Sequence, residues 1–115
     1  MSVQKINSPE RMLVPMYSHA VKIPGLIFCS GQTPMDSTGN VAQCLSNLTD
    51  VLNAAGSSWD KVVKVNIYLK SMGDYAAMNE VYIKTLPDPK PARTCIQAGG
   101  LPWDVDVEIE AIAAV

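Results

Sequence analysis

Arg93 and Glu108 are the two side chains through which this chain could act on a small carboxylic acid. Arg93 stands in the run Ala92-Arg93-Thr94-Cys95-Ile96-Gln97, whose alternation sends Arg93, Cys95 and Gln97 to one face of a strand and Thr94 and Ile96 to the other. A guanidinium in such a strand is costly to bury unless something pairs with it. Two readings stay open: a structural salt bridge to Glu108 or Glu110 of the neighbouring strand, or a fork that binds a ligand carboxylate through two hydrogen bonds. Glu108 is ambiguous in the same way. It is one of three acids on a strand face, which are most often solvated; on a central strand its ionised form is desolvated and it becomes a general base near neutral pH. Cys95 shares the face of Arg93 but has no histidine beside it, and reads as a thiol lining a pocket rather than a nucleophile.

Tyr17, Ser30, Gln32 and Asn79 stand at element ends, where each reads first as a cap, turn or surface residue and only then as a ligand contact. His19, the single histidine, reads as a surface strand residue. Alone it can build neither a zinc site nor an acid–base pair. Cys29, Cys44 and Cys95 have the spacing of neither a disulfide framework nor a metal site, so no metal is expected. Met12, Met16, Met35, Met72 and Met78 read as core or interface packing.

The elements that must carry these groups follow from periodicity. Residues 18–23 and 26–30 form a hairpin around the Pro24-Gly25 turn, and residues 31–40 form a loop. Val41, Leu45, Leu48, Leu52 and Ala55 make one helical stripe, with Asn40 and Gln43 placed as a capping box and Gly56 placed to end the helix. In the strand that follows, Val63, Val65, Ile67 and Leu69 share a face opposite Lys64, Asn66, Tyr68 and Lys70. A second helix runs from an Asp74 N-cap to Pro87, with Tyr75, Met78, Val81, Tyr82 and Leu86 as its stripe. Strands over 92–98 and 104–113 close the chain around Gly99-Gly100-Leu101-Pro102. The order ββ-α-β-α-ββ predicts an α+β sandwich, a mixed sheet with two helices on one face, in a single domain over 1–115. The other face has nothing to cover it and suits a subunit interface with polar pockets.

The totals narrow the function. Hydrophobic residues make up 48% of 115 and charged residues 17%, an apolar balance that favours burial between subunits. The net charge is −2 and no Lys/Arg run occurs, so the electrostatic footprint of a nucleic-acid binder is missing. No apolar stretch approaches the ~20 residues of a membrane span. The N-terminal residues lack an apolar signal segment, which gives a cytoplasmic address by default, with mitochondrial import as the alternative.

Five motifs in order then resemble one family. Tyr17-Ser18-His19-Ala20 is similar to a "YSQA" signature, and Ser30-Gly31-Gln32-Thr33-Pro34 to an "SGQ-x-P" turn. Ala54-Ala55-Gly56-Ser57-Ser58 with Val62-Val63-Lys64-Val65 resembles a characteristic helix-to-strand junction, and Met78-Asn79-Glu80-Val81-Tyr82 matches "MNEVY". Pro91-Ala92-Arg93-Thr94-Cys95, Leu101-Pro102 and Val107-Glu108-Ile109-Glu110-Ala111-Ile112-Ala113 complete the likeness. On these motifs the chain resembles the Rid (reactive intermediate deaminase, or YjgF) family from near residue 5 to its end.

That resemblance implies a chorismate-mutase-like fold in a homotrimer, with the sheets packed inward as a barrel and clefts between subunits. It implies cofactor-independent hydrolysis of 2-imino acids such as 2-iminobutanoate and 2-iminopropanoate to 2-keto acids and ammonia. Arg93 would clamp the substrate carboxylate, Glu108 would orient or activate water, and Tyr17 would close over the ligand. Ser30, Asn79 and Cys95 would line the pocket. The alternatives are an endoribonuclease or translation inhibitor, as some relatives are described, and a ligand-binding or chaperone-like trimer without turnover. Pro15-Met16 stands where the family usually has Gly-Pro, and His19 where it usually has Gln. Between Gly39 and Val41 the resemblance also implies roughly ten more residues than stand here: either the loop is short, a change of the kind generally tolerated, or a segment is left out and the Asn40 capping box falls with it.

Overall fold

A computed structural model describes residues 2–34 and 41–115; the expected Asn40 cap and the packing of Met35 lie outside them. Six strands, β1 (Gln4–Ile6), β2 (Ala20–Ile23), β3 (Leu26–Gln32), β4 (Val62–Leu69), β5 (Ala92–Gln97) and β6 (Val107–Ala114), form one sheet in the order β1-β2-β3-β6-β4-β5. Helices α1 (Val41–Ala54) and α2 (Tyr75–Thr85) pack beside each other, and α1 covers β3 and β6. All neighbours are antiparallel except β4 and β5, for which α2 is the crossover. This is the mixed sheet with two helices on one face that the pattern predicts.

Local chemistry explains most boundaries. Gly25, at φ 88°, lets β2 turn directly into β3. Gly56, at φ 79°, ends α1: its N–H bonds Asn53 O, while Ser57 N–H reaches back to Leu52 O at 2.9 Å. The core is the seam between α1 and the sheet, where Leu45, Leu48, Val51 and Leu52 meet Ile27, Val65, Ile67 and Ile109, all fully buried.

Several expectations need correction. β1 has three residues and no alternation, so periodicity gives no sign of it. Gly31 and Gln32 belong to β3 rather than to a loop, and β6 begins at Val107, three residues later than the alternation suggests. Val62, not Val63, joins the buried face of β4. The register slips between Val62 and Lys64, a bulge that turns Val63 outward. Asp74 holds the N-cap position of α2 without a capping bond from its side chain; Ser71 Oγ accepts Gly73 N–H instead. Of the described methionines read as core or interface packing, Met78 is core, and Met12, Met16 and Met72 are exposed on the single chain, which leaves the interface half of that reading open.

His19 is the largest departure. It is buried, not on the surface. Its Nδ1 accepts Ser8 N–H at 2.9 Å, so Nε2 carries the hydrogen and donates it to Met12 O at 2.8 Å. Asn7 Oδ1 accepts the backbone N–H of His19. One imidazole therefore ties down the segment that carries Tyr17. Glutamine has an acceptor and a donor at similar reach, and alanine has neither. In urea unfolding at fixed protein concentration, His19→Ala is expected to cost about 2–4 kcal/mol, the penalty of two stranded backbone groups, and His19→Gln about 1 kcal/mol or less. Equal losses from both would show that packing, rather than this bridge, is what His19 provides.

Candidate functional site

The sheet divides the expected site residues into two groups. β5 lies at the sheet edge, paired only with β4, in the register Val65↔Arg93 and Ile67↔Cys95. Val65 and Ile67 face the helices, so Arg93 and Cys95 do too. β6 pairs with β4 on its other side through Tyr68↔Glu108, which sends Glu108 to the open face. Arg93 and Glu108 of one chain thus lie on opposite faces of its sheet. A salt bridge from Arg93 to Glu108 or Glu110 does not form, because those acids are neither on the adjacent strand nor on the same side.

The Arg93 group is built on α2. Arg93 Nη1 donates to Asn79 Oδ1 at 2.7 Å and Nη2 to Tyr75 Oη at 3.0 Å. The guanidinium carbon lies 4.9 Å from the centre of the Tyr82 ring and 5.5 Å from that of Tyr75. Tyr75, Asn79 and Tyr82 are spaced so that one helix face presents all three. Among the described residues no carboxylate lies within ion-pair reach of Arg93. It is a cation aimed, stacked and short of an anion. Cys95, half-buried on the same face, has its thiol pKa raised by burial, with Arg93 opposing, which fits a pocket wall and not a thiolate nucleophile. Cys29 and Cys44 are pushed up to about 12 by burial.

The second group surrounds a cavity of about 670 Å³ at the end of the open face. Tyr17, Ser30 and Glu108 line it, as do Met12, Met16 and Trp103. Ser30 holds its wall together: its N–H bonds His19 O, and its hydroxyl donates to Ser18 O at 2.7 Å. From the other side Asn47 Nδ2 donates to Thr33 O at 2.8 Å and Cys44 Sγ to Gln32 O at 2.9 Å, anchoring the end of β3 to α1. Gln32 is buried in this anchor, so its role is structural.

Glu108 crosses directly over Gly31, where an added Cβ would fall 2.9 Å from its Cδ and 3.0 Å from its Cγ. Position 31 therefore has to be glycine for the carboxyl to lie there. Burial raises the Glu108 pKa, and the charge of Glu110 on the same face raises it further. No cation among the described residues pairs with it. Such a carboxylate accepts a proton more readily than a solvated one.

Three features escape the sequence reading. Tyr75 looks like core stripe but is exposed and bonds Arg93, while Tyr82 is core as expected and also stacks on Arg93. Gly31 looks like a loop glycine. Trp103 carries no periodic signal, but it sits at the cavity rim with φ 61°.

A family model described as "Endoribonuclease L-PSP" matches residues 9–115. The mitochondrial protein mmf1 of Schizosaccharomyces pombe is 48% identical over an alignment covering 94% of this chain and 74% of its own length. Among solved structures, RidA of an Antarctic Psychrobacter superposes with a TM-score of 0.91 at 33% identity, over 97% of this chain and 99% of that one. Escherichia coli TdcF, solved with bound serine, superposes with a TM-score of 0.86 at 30% identity, over 97% and 99%.

Proposed function

The chain belongs to the endoribonuclease L-PSP (Rid, YjgF) family, and from that premise we propose that it hydrolyses reactive 2-imino acids to 2-keto acids and ammonia. The observation that carries this reading is Arg93, a stacked guanidinium with no carboxylate partner among the described residues. A carboxylate entering beside it completes a two-bond clamp. TdcF, a relative that binds serine, supports a small carboxylate as the ligand, because serine carries that group.

Glu108 suits the other half of the reaction. A protonated imine is already electrophilic at C2, so the remaining demand is a water held in line and relieved of its proton as it attacks. Glu108 accepts that proton, leaving a hydroxyl and an amino group on the same carbon. It then returns the proton to the nitrogen. Ammonia departs as the carbonyl forms and Glu108 takes up the hydroxyl proton, which leaves with the ammonia as ammonium, so the balance is protonated imino acid plus water to keto acid plus ammonium.

Because one chain places Arg93 and Glu108 on opposite faces, a second copy must supply the missing half of each cleft. A closed homotrimer does this three times over. It would also cover the open face, where Phe28, Ile96 and Val63 are exposed. The name of the fission-yeast relative assigns that protein to mitochondria, which favours the mitochondrial over the cytoplasmic address here. Nucleolytic chemistry has less to work with, since both ring nitrogens of the only histidine are engaged in holding backbone.

The test combines assembly with turnover. Light scattering should give the mass of three chains. With 2-iminobutanoate generated in situ from threonine by a dehydratase, the protein should suppress the semicarbazone that forms when semicarbazide traps the imine. A folded trimer that leaves the trapped product unchanged would replace the enzyme by a ligand-binding protein.

A further inference from the structure

We propose that Trp103 heads an apolar subsite that makes this cleft select 2-imino acids with bulky apolar side chains over the smallest ones. The inference rests on the hydrolytic reading above and specifies its substrate class.

Trp103 is held where an L residue with a large side chain rarely goes. Its φ is 61° and that of Asp104 is 53°, two adjacent non-glycine residues in the left-handed region. The turn is fixed on both sides: Asp104 N–H bonds Leu101 O at 3.0 Å, Val105 N–H bonds Pro102 O at 3.3 Å, and Lys70 Nζ pairs with the Asp104 carboxylate at 3.1 Å. This strained geometry wins the chain no core packing, because Trp103 is 78% exposed. What it does is set an indole at the rim of the cavity that contains Glu108. A backbone conformation maintained against its intrinsic preference, with its side chain turned away from the core, is the pattern of a binding residue.

The part of the wall beside Trp103 is apolar, while Arg11, Ser30, Gln32 and Glu108 line the remainder. Met12, Val14 and Met16 line the cavity beside Trp103, and Met16 is 75% exposed. Methionine is flexible and polarizable, and can shape itself around an aromatic or branched group. With C2 at Glu108 and the carboxylate held by Arg93 of the adjoining copy, the substrate side chain is the part left to meet this wall.

Two measurements on the intact assembly test the subsite. First, imines are generated by an amino-acid oxidase from phenylalanine, leucine and alanine, and hydrolysis is followed by semicarbazide trapping. The kcat/KM for the phenylalanine-derived imine should exceed that for the alanine-derived one by about tenfold, the discrimination one good apolar contact provides, and Trp103→Ala should erase most of that ratio while Trp103→Leu keeps part of it. Second, Trp59→Phe leaves Trp103 as the one indole, since the chain has two tryptophans. A phenyl-bearing 2-oxo acid should then quench its fluorescence at about tenfold lower concentration than pyruvate. A wild-type ratio near one in both measurements overturns the subsite. So does a Trp103→Ala variant that slows both imines equally. If fluorescence shows the preference but no imine is hydrolysed, the subsite stands and the hydrolytic reading fails.

Discussion

Arg93→Ala is expected to lower kcat/KM for 2-iminobutanoate by about two to three orders of magnitude, the combined weight of two charge-assisted hydrogen bonds to a carboxylate. The substrate keeps its carboxylate throughout the reaction, so the clamp acts on ground and transition states alike and KM should rise. The clamp also sets where C2 lies relative to the water, so kcat should fall as well. Arg93→Lys is informative between these limits, because it retains the charge and loses the planar fork that Asn79 and Tyr75 orient at 2.7 Å and 3.0 Å. Folding should survive either change, since Arg93 lies on an edge strand and its described hydrogen bonds go to side chains only. Steady-state kinetics with light scattering on the same samples separates the two effects. An alanine variant within threefold of wild type would mean that the carboxylate is bound elsewhere.

The sequence is informative about this fold wherever one face is apolar and the other is not. The α1 stripe through Leu45, Leu48 and Leu52 and the β4 alternation from Val65 to Leu69 are period signals, and both elements bury the face they advertise. The Gly56 stop works because a single residue type satisfies the left-handed position after a helix. Periodicity fails where a residue's environment is set by distant chain. His19 alternates like a surface residue, but Ser8 and Met12 close over it from a segment with no regular structure. Val63 is misassigned because a bulge is a property of a strand pair, invisible in one strand alone.

The site divides along the same line. Arg93, Cys95 and Asn79 are brought together on the helix side, and Tyr17, Ser30 and Glu108 around the cavity. The motifs identify these residues, but neither spacing nor alternation says that one chain holds them as two separate halves. That separation comes from the registers Val65↔Arg93 and Tyr68↔Glu108, which send the two side chains to opposite faces of the sheet, with β4 lying between their strands. Tyr75 and Tyr82 were within reach of the pattern, since with Asn79 they share one helix face. Trp103 was not, because nothing in Leu101-Pro102-Trp103-Asp104 announces a left-handed pair.

Glu108→Gln should abolish the acid limb of the pH–rate profile along with most of kcat. In the wild type, burial and then Glu110 hold the Glu108 pKa above its ordinary value. The proton-accepting form therefore appears only as pH rises through that raised value, and kcat/KM should climb with it. Removing the second cause with Glu110→Gln should move the limb to lower pH. Stability runs the opposite way. Between the unfolded and folded pKa the native state binds more protons, so wild-type stability falls as pH rises through that window, and Glu108→Gln lacks this fall.

Glu108→Gln and Arg93→Ala can then be combined as separate inactive proteins. If each cleft draws Arg93 from one copy and Glu108 from its neighbour, denaturing and refolding an equal mixture creates some clefts with both residues intact. Random assembly into a closed ring gives both native halves to about a quarter of the clefts. Activity should return to about that fraction of wild type, and a chain carrying both substitutions should rescue nothing when mixed with either single variant. A cleft complete within one chain predicts no recovery, because every mixed assembly would still pair each native residue with its defective partner.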